Sequence, residues 1–166
     1  MISHLPISMD GSCNGYQHLS AMGLDSSGGR ATNLMPFEEP QDIYQQVSDM
    51  VCRRMEREEE GTGPNAEVAR QLLAIMGRKL AKNATMTIPY GATLHTIFTE
   101  LCDEDAIKPL KNFEKCAMYL TKLEVECIPK VAVQAGRIME WLREVAGIIA
   151  KANHDVDHAY RVCRDS

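Results

Sequence analysis

The sequence contains no Cys-x-x-Cys pair and no apolar run long enough to cross a lipid bilayer. Its six cysteines are scattered singly, and no positively charged, apolar signal segment opens the chain, which favours reduced thiols in an intracellular compartment. A membrane-spanning helix needs about 20 consecutive apolar residues. We therefore expect no membrane-spanning segment.

Positive charge is scarce overall and unevenly distributed. The net charge of −5 argues against an autonomous nucleic-acid binder, because phosphate contacts are made mainly by Lys and Arg. Arg30 is the only Lys or Arg in the first fifty residues. The next thirty-two residues contain seven such side chains, which predict a local basic strip: Arg53, Arg54, Arg57, Arg70, Arg78, Lys79 and Lys82.

Apolar residues recur mainly at helical spacing. The 166 residues, of which 45% are hydrophobic, suit one domain with a sizeable core. Alternation over residues 5–9 predicts one short strand. Helices are predicted from a first turn at Pro40 to residue 55, over residues 94–101, and over residues 113–153 with an interruption at Pro129. One apolar side of the last tract is predicted to be core: Trp141, Leu142, Val145, Ile148 and Ile149.

Four large functional side chains recur at every fourth position of one segment, namely Arg78, Lys82, Met86 and Tyr90. On a helix they would form a row roughly 18 Å long on one face, about the length of an extended nucleoside triphosphate. The two cations suit phosphates, Met86 suits the apolar surface of a base, and Tyr90 suits a sugar. The alternative is a solvated amphipathic helix whose cations point at water.

A carboxylate follows the predicted strand directly, in the pair Asp10-Gly11. A carboxylate at a strand end is well placed to hold a metal ion. The alternative is an ordinary strand-to-helix turn, in which glycine allows unusual backbone angles.

Two longer strings resemble motifs of one enzyme family. Arg78-x3-Lys82-x7-Tyr90-Gly91 resembles motif B of single-subunit DNA-directed RNA polymerases and of the related family A DNA polymerases. The string from Asp10 to His18, Asp-Gly-Ser-Cys-Asn-Gly-Tyr-Gln-His, resembles motif A of the phage and mitochondrial RNA polymerases.

Two positions in motif B refine this resemblance. Met86 favours the RNA polymerases, since the DNA enzymes usually carry an aromatic residue there. Pro89 departs from the family pattern and predicts that the helix kinks or ends at that point, because proline lacks an amide donor and crowds the preceding turn.

The resemblance implies a mainly α fold with minimal strand, a palm and fingers fragment in which a short strand is followed by a helical bundle. Residues 1–40 would form the palm segment with motif A, and residues 41–166 the helical fingers segment with motif B. The implied activity is template-directed nucleotidyl transfer from NTPs with two Mg²⁺ ions, on a DNA template and with an RNA product. The residues of motif A and of the Pro40-Gln-Asp-Ile-Tyr44 string are more similar to the organellar enzymes than to the phage enzymes. The resemblance therefore favours a mitochondrial location over the cytoplasm of a phage-infected host or a plastid.

The resemblance also implies roles for single residues. Asp10 would be catalytic and would hold Mg²⁺ together with the backbone carbonyl of Gly11. Arg78 and Lys82 would bind the triphosphate, and Lys82 would contact or protonate the departing pyrophosphate.

Three further side chains would bind the nucleotide. Tyr90 would help to sense the ribose 2′-hydroxyl, which separates RNA from DNA substrates. Met86 would contact the base. Tyr44 matches a family tyrosine that lines the nucleotide pocket, although core packing is an alternative role for it.

The family's second metal-binding aspartate belongs to a His-Asp-Ser motif that this sequence does not contain: His154-Asp155 lacks the serine, and Asp165-Ser166 lacks the histidine. We therefore expect a part of a polymerase that is inactive alone and active with the remainder of the polymerase chain or a complementing subunit. One alternative is a catalytically silent module of the same fold that binds nucleotides or nucleic acid. Another is a DNA polymerase relative, which Met86 disfavours.

Overall fold

The computed structural model describes Gly11 and the backbone of residues 13–164, with side chains as far as Ala152. The predicted strand at residues 5–9 and the predicted metal ligand Asp10 lie outside the described residues. Within the described part all regular structure is helical, which confirms the mainly α prediction. The elements are α1 (Asn14–Met22), α2 (Ser26–Ala31), α3 (Ile43–Glu59), α4 (Ala66–Leu73), α5 (Arg78–Thr87), a 3₁₀ turn (Ile88–Tyr90), α6 (Leu94–Asp103), α7 (Phe113–Val131) and α8 (Val133–Arg164).

Helix α3 begins later than the sequence predicts. Asp42 is its N-cap, and the carboxylate Oδ1 accepts hydrogen bonds from the backbone N–H of Tyr44 at 3.0 Å and of Gln45 at 3.3 Å. These bonds satisfy two of the donors that a helix start leaves unpaired. The predicted first turn at Pro40 was therefore wrong, and Ile43 is the first helical residue.

The core lies where α3 packs against α4, α5 and α7, and where α5 also packs against α7. Small side chains on α5 let it approach closely, since Ala81 and Thr85 are fully buried and Ala84 nearly so. Thr85 satisfies its own hydroxyl by donating to the Ala81 carbonyl at 2.7 Å. Because one face of α5 is committed to this core, its opposite face is left at the surface.

The two long C-terminal helices are separated at Ala132 and not at Pro129. Helix α7 continues through Pro129 to Val131, and Ala132 has φ −121° and ψ 76°, outside the helical range. Pro129 lies in the last turn of α7 and lacks the amide donor that would extend the helical hydrogen bonding at this position, so α7 loses one backbone hydrogen bond there. Gly136 of α8 then packs on Pro129, since a Cβ at Gly136 would lie 3.1 Å from the Pro129 Cβ.

The apolar side of α8 was predicted to be core, and that prediction was wrong. Burial on α8 reaches Met139, after which Trp141 is 59% exposed and Ile148 is 67% exposed. The main packing partners of α8 in the described part are α1, α2 and α7, and they cover its first turns. No helix in the described part of the chain is long and apolar enough to cross a membrane.

Candidate functional site

A cleft of about 490 Å³ opens between the start of α1, the start of α3 and the outer face of α5. It brings together residues that lie far apart in the sequence. All the predicted nucleotide-binding side chains line it, as does the glycine that follows Asp10. The described lining residues are Gly11, Cys13, Asn14, Gly15, Tyr44, Arg78, Lys82, Met86, Thr87 and Tyr90.

The predicted row on α5 forms one wall of this cleft. Arg78, Lys82 and Met86 fall on successive turns of the helix and are exposed. The α-helix ends at Thr87 and a 3₁₀ turn carries Pro89 and Tyr90, which confirms the predicted effect of Pro89. Tyr90 still lines the cleft and is 74% exposed, so the change of helix type leaves the row unbroken.

A glycine in motif A lets the end of motif B approach α1. A Cβ at Gly15 would lie 2.7 Å from the Pro89 Cβ and 3.3 Å from the Tyr90 Cζ, too close for any larger residue without movement. Gly91 then ends the 3₁₀ turn at φ 89°, a conformation that favours glycine. The two motifs are therefore in direct contact, and this contact positions Tyr90.

Tyr44 forms the floor between the two cations. The Arg78 Cζ lies 5.1 Å from the centroid of its ring and the Lys82 Nζ lies 6.0 Å away, within the range of cation–π attraction. Burial, followed by a hydrogen bond with the Cys13 thiol, raises the pKa of Tyr44. Burial likewise raises the pKa of Cys13. Both groups are therefore neutral near pH 7, and Tyr44 serves as a rigid uncharged platform.

The start of α5 concentrates positive charge. Its first turn contains Arg78 and Lys79 and no acidic residue, although a helix N-terminus carries a partial positive charge that normally attracts acids. None of the described residues that line the cleft is acidic. Arg78 has one acidic neighbour outside the lining, since its Nε donates to the Asp42 Oδ2. The cleft is suited to an anion.

The remaining cations of the predicted basic strip are distributed differently. Arg78 and Lys82 are the members of that group that line the cleft. Arg54 pairs with Glu126 at 3.6 Å, and Arg70 pairs with Glu59 and Glu67 at 3.2 and 3.0 Å. Arg78 is also paired, with Asp42, but unlike Arg54 and Arg70 it lines the cleft.

The residues of the cleft provide only part of a Mg²⁺ site. No group of three or more metal-ligating side chains converges among the described residues. Gly11 nevertheless lines the same cleft as Arg78 and Lys82, and its neighbour in the chain, Asp10, is a carboxylate of the kind that Mg²⁺ prefers. The roles predicted for Asp10 and Gly11 stay predictions.

Sequence reasoning missed five residues at this site. Cys13, Asn14, Gly15 and Thr87 line the cleft, and Asp42 holds Arg78 from its edge. The first three belong to the motif A string, in which Asp10 and Gly11 were the residues predicted to bind a ligand. Asp42 directly precedes Ile43, the first residue of the predicted apolar helical stripe, and could therefore have been predicted as an N-cap, although not as a partner of Arg78.

Comparison with known proteins identifies the family. Residues 1–163 match the family model described as DNA-dependent RNA polymerase. The chain belongs to this family. It is 34% identical to DNA-directed RNA polymerase 1, mitochondrial, of Arabidopsis thaliana, with 93% of the chain aligned. It is 33% identical to the mitochondrial DNA-directed RNA polymerase of Mus musculus, with 94% of the chain aligned.

These relatives are much longer than this polymerase-family chain. The chain spans 17% of the Arabidopsis protein and 13% of the mouse protein. It spans 49% of DNA-directed RNA polymerase 2A of Nicotiana tabacum, to which it is 36% identical. The resemblance to the mitochondrial type of RNA polymerase is confirmed, and the motif A and motif B strings both fall inside the matched residues.

Proposed function

We propose that this chain is part of the catalytic core of a DNA-directed RNA polymerase and that its cleft binds the incoming ribonucleoside triphosphate. The observation that carries the proposal is one shared cleft: Arg78, Lys82 and Tyr90 line it together with Gly11, the neighbour of Asp10. Motif A ends at His18 and motif B begins at Arg78, so 59 residues of sequence separate them. Their meeting at a cation-lined opening supports a site built for a nucleotide.

The phosphates would lie at the start of α5. The Arg78 guanidinium is a planar fork that can bind two phosphate oxygens at once, and the Lys82 ammonium is a compact charge one turn further along. Both lie over the Tyr44 ring. In nucleotidyl transfer a terminal 3′-hydroxyl attacks the α-phosphate and pyrophosphate leaves. Lys82 would neutralise that leaving group and donate a proton to it.

The sugar and base would lie at the other end of the row. Met86 is 39% exposed at the cleft and offers a polarisable apolar contact for a base. Tyr90 presents its ring and hydroxyl beyond Met86, where they would contact the ribose and sense its 2′-hydroxyl. An extended nucleoside triphosphate would then lie along the row, with its phosphates near Arg78 and its sugar near Tyr90.

Asp10, with the backbone carbonyl of Gly11, would hold Mg²⁺. When bound, two Mg²⁺ ions supply charge neutralisation for the attacking and leaving oxygens. The second metal-binding aspartate of the family is absent from this sequence, so the chain alone would be inactive. Its partners would be DNA template, RNA product, NTPs and the rest of a polymerase, and the relatives' names support a mitochondrial location.

The proposal is tested by Asp10→Asn in a polymerase that contains this chain. Loss of the charge that holds the metal should lower the elongation rate by at least about a thousandfold, measured by single-nucleotide incorporation on a primed template. Promoter binding should be largely unchanged, which controls for folding. Asp49→Asn, the same substitution at an exposed position of α3 outside the cleft lining, should elongate normally. Full elongation by the Asp10 variant would refute the assignment.

A catalytically silent nucleotide-binding module is the second candidate. It is favoured by one observation, that Arg78, Lys82 and the Tyr44 platform lie together in one cleft and could bind a nucleotide without a metal ion. The same experiment separates the two candidates. For a silent module, Asp10→Asn would change neither elongation nor the affinity for ATP.

A further inference from the structure

Asp42 does not line the cleft but contacts Arg78, which does. Its two carboxylate oxygens accept hydrogen bonds from different groups. Oδ1 caps α3 by accepting from the backbone N–H groups of Tyr44 and Gln45. Oδ2 accepts from the Nε of Arg78. One side chain therefore ties the start of α3, which carries the Tyr44 platform, to the first residue of α5.

We propose that Asp42 is a positioning residue that holds the Arg78 guanidinium by its Nε and thereby presents the two terminal nitrogens to the phosphates of a nucleotide. The inference rests on the proposed function of the cleft, and it adds a residue outside both motifs to that function. Asp42 itself would not touch the substrate.

Two contacts fix the guanidinium. Asp42 holds it at the edge, and the Tyr44 ring lies 5.1 Å from its Cζ on one face. Among the described side chains, Asp42 is the one carboxylate that forms an ion pair with Arg78. Because Asp42 uses Nε, the fork of terminal N–H groups that binds phosphate oxygens in pairs stays available.

Folding stability does not account for this ion pair. The side chains of Arg78 and Asp42 are 48% and 37% exposed, and exposed ion pairs contribute little to stability because water and salt screen them. Although partial burial acts to raise the pKa of Asp42, hydrogen bonds from Arg78 and the α3 backbone hold it below its ordinary value. Asp42 is thus fully charged at neutral pH, where it can orient Arg78.

The direction of the effect separates positioning from simple electrostatics. Asp42 brings a negative charge close to the cleft, and that charge by itself repels phosphate. If repulsion or competition for Arg78 dominated, removing the charge would tighten nucleotide binding. If orientation dominates, removing it frees the guanidinium to adopt many rotamers, and binding weakens because the lost order must be restored on binding.

Asp42→Asn tests this directly, because asparagine caps helices as well as aspartate does while its amide no longer attracts the guanidinium. We expect the dissociation constants of this chain for ATP and for inorganic tripolyphosphate, measured by titration calorimetry, to rise about tenfold. Asp49→Asn is the matched control. Asp49 is an exposed carboxylate on α3 that does not line the cleft, and its Oδ1 accepts from the Gln45 Nε2 at 2.7 Å, a bond that asparagine can keep. This variant should bind both ligands within twofold of the original chain.

Two further variants make each outcome decisive. In an Arg78→Ala background the effect of Asp42→Asn should vanish, since there is no guanidinium left to orient. Arg78→Lys keeps the charge and removes Nε, so it should weaken binding about as much as Asp42→Asn does. If Arg78→Ala weakens binding and Asp42→Asn does not, or tightens it, the positioning role is overturned and the proposed cleft survives. If Arg78→Ala has no effect, or the original chain binds neither ligand, the proposed cleft itself is overturned.

Discussion

The two faces of α5 differ in burial and in function. On the inner face Leu80, Ala81 and Ala84 are at most 6% exposed and pack into the core. On the outer face Arg78 and Lys82 are exposed and line an open cleft. The inner face fixes where the helix lies, and the outer face gains little stability from its own contacts. Folding and ligand binding should therefore be separable by mutation of one helix.

The largest expected effect on stability comes from the inner face. Leu80→Ala should lower the free energy of unfolding by about 3 kcal/mol, because it removes buried apolar surface and leaves a cavity. Urea denaturation followed by circular dichroism measures this. The ATP affinity of the folded variant should stay within twofold of the original. A change below about 0.5 kcal/mol would show that the inner face does not hold α5 in place.

Helix α7 contains a buried acidic residue, which contrasts with the exposed basic residues of α5. Glu124 is fully buried, and neither of its carboxyl oxygens has a hydrogen-bond partner among the described residues. Burial raises the pKa of Glu124 to about 8 from an ordinary value of 4.5. The folded protein thus holds a neutral acid in its core at pH 7, whereas Arg78 and Lys82 of the cleft lie exposed on the surface.

This difference predicts a pH dependence of stability. Between the unfolded and folded pKa values of Glu124 the folded state binds more protons than the unfolded state, so stability is lost as pH rises through that window. The free energy of unfolding of Glu124→Leu relative to the original chain should grow by about 2.5 kcal/mol from pH 5.5 to pH 7.5. Urea denaturation at the two pH values measures it. A difference that is the same at both pH values would contradict the burial of an unpaired carboxyl group.

The outer face of α5 could be predicted from sequence because helical periodicity alone places Arg78, Lys82 and Met86 on one side. The helix end at Pro89 followed from the chemistry of proline. The role of Asp42 could not be predicted, because it depends on a contact between side chains thirty-six positions apart. The exposure of Trp141 was mispredicted for a related reason: an apolar stripe shows that a face can be buried, and only the packing of other elements decides whether it is.

The two lysines at the start of α5 provide the most direct test of the central claim, that the outer face of this helix reads the phosphates of a nucleotide. Lys79 and Lys82 are both exposed and lie on the same helix, but Lys82 lines the cleft and Lys79 does not. The measurement is the dissociation constant for ATP of Lys82→Ala and of Lys79→Ala at one salt concentration. The account predicts about a tenfold loss for Lys82→Ala and less than a twofold loss for Lys79→Ala. Equal losses would show that ATP responds to the general charge of the helix, and would contradict a specific triphosphate site in this cleft.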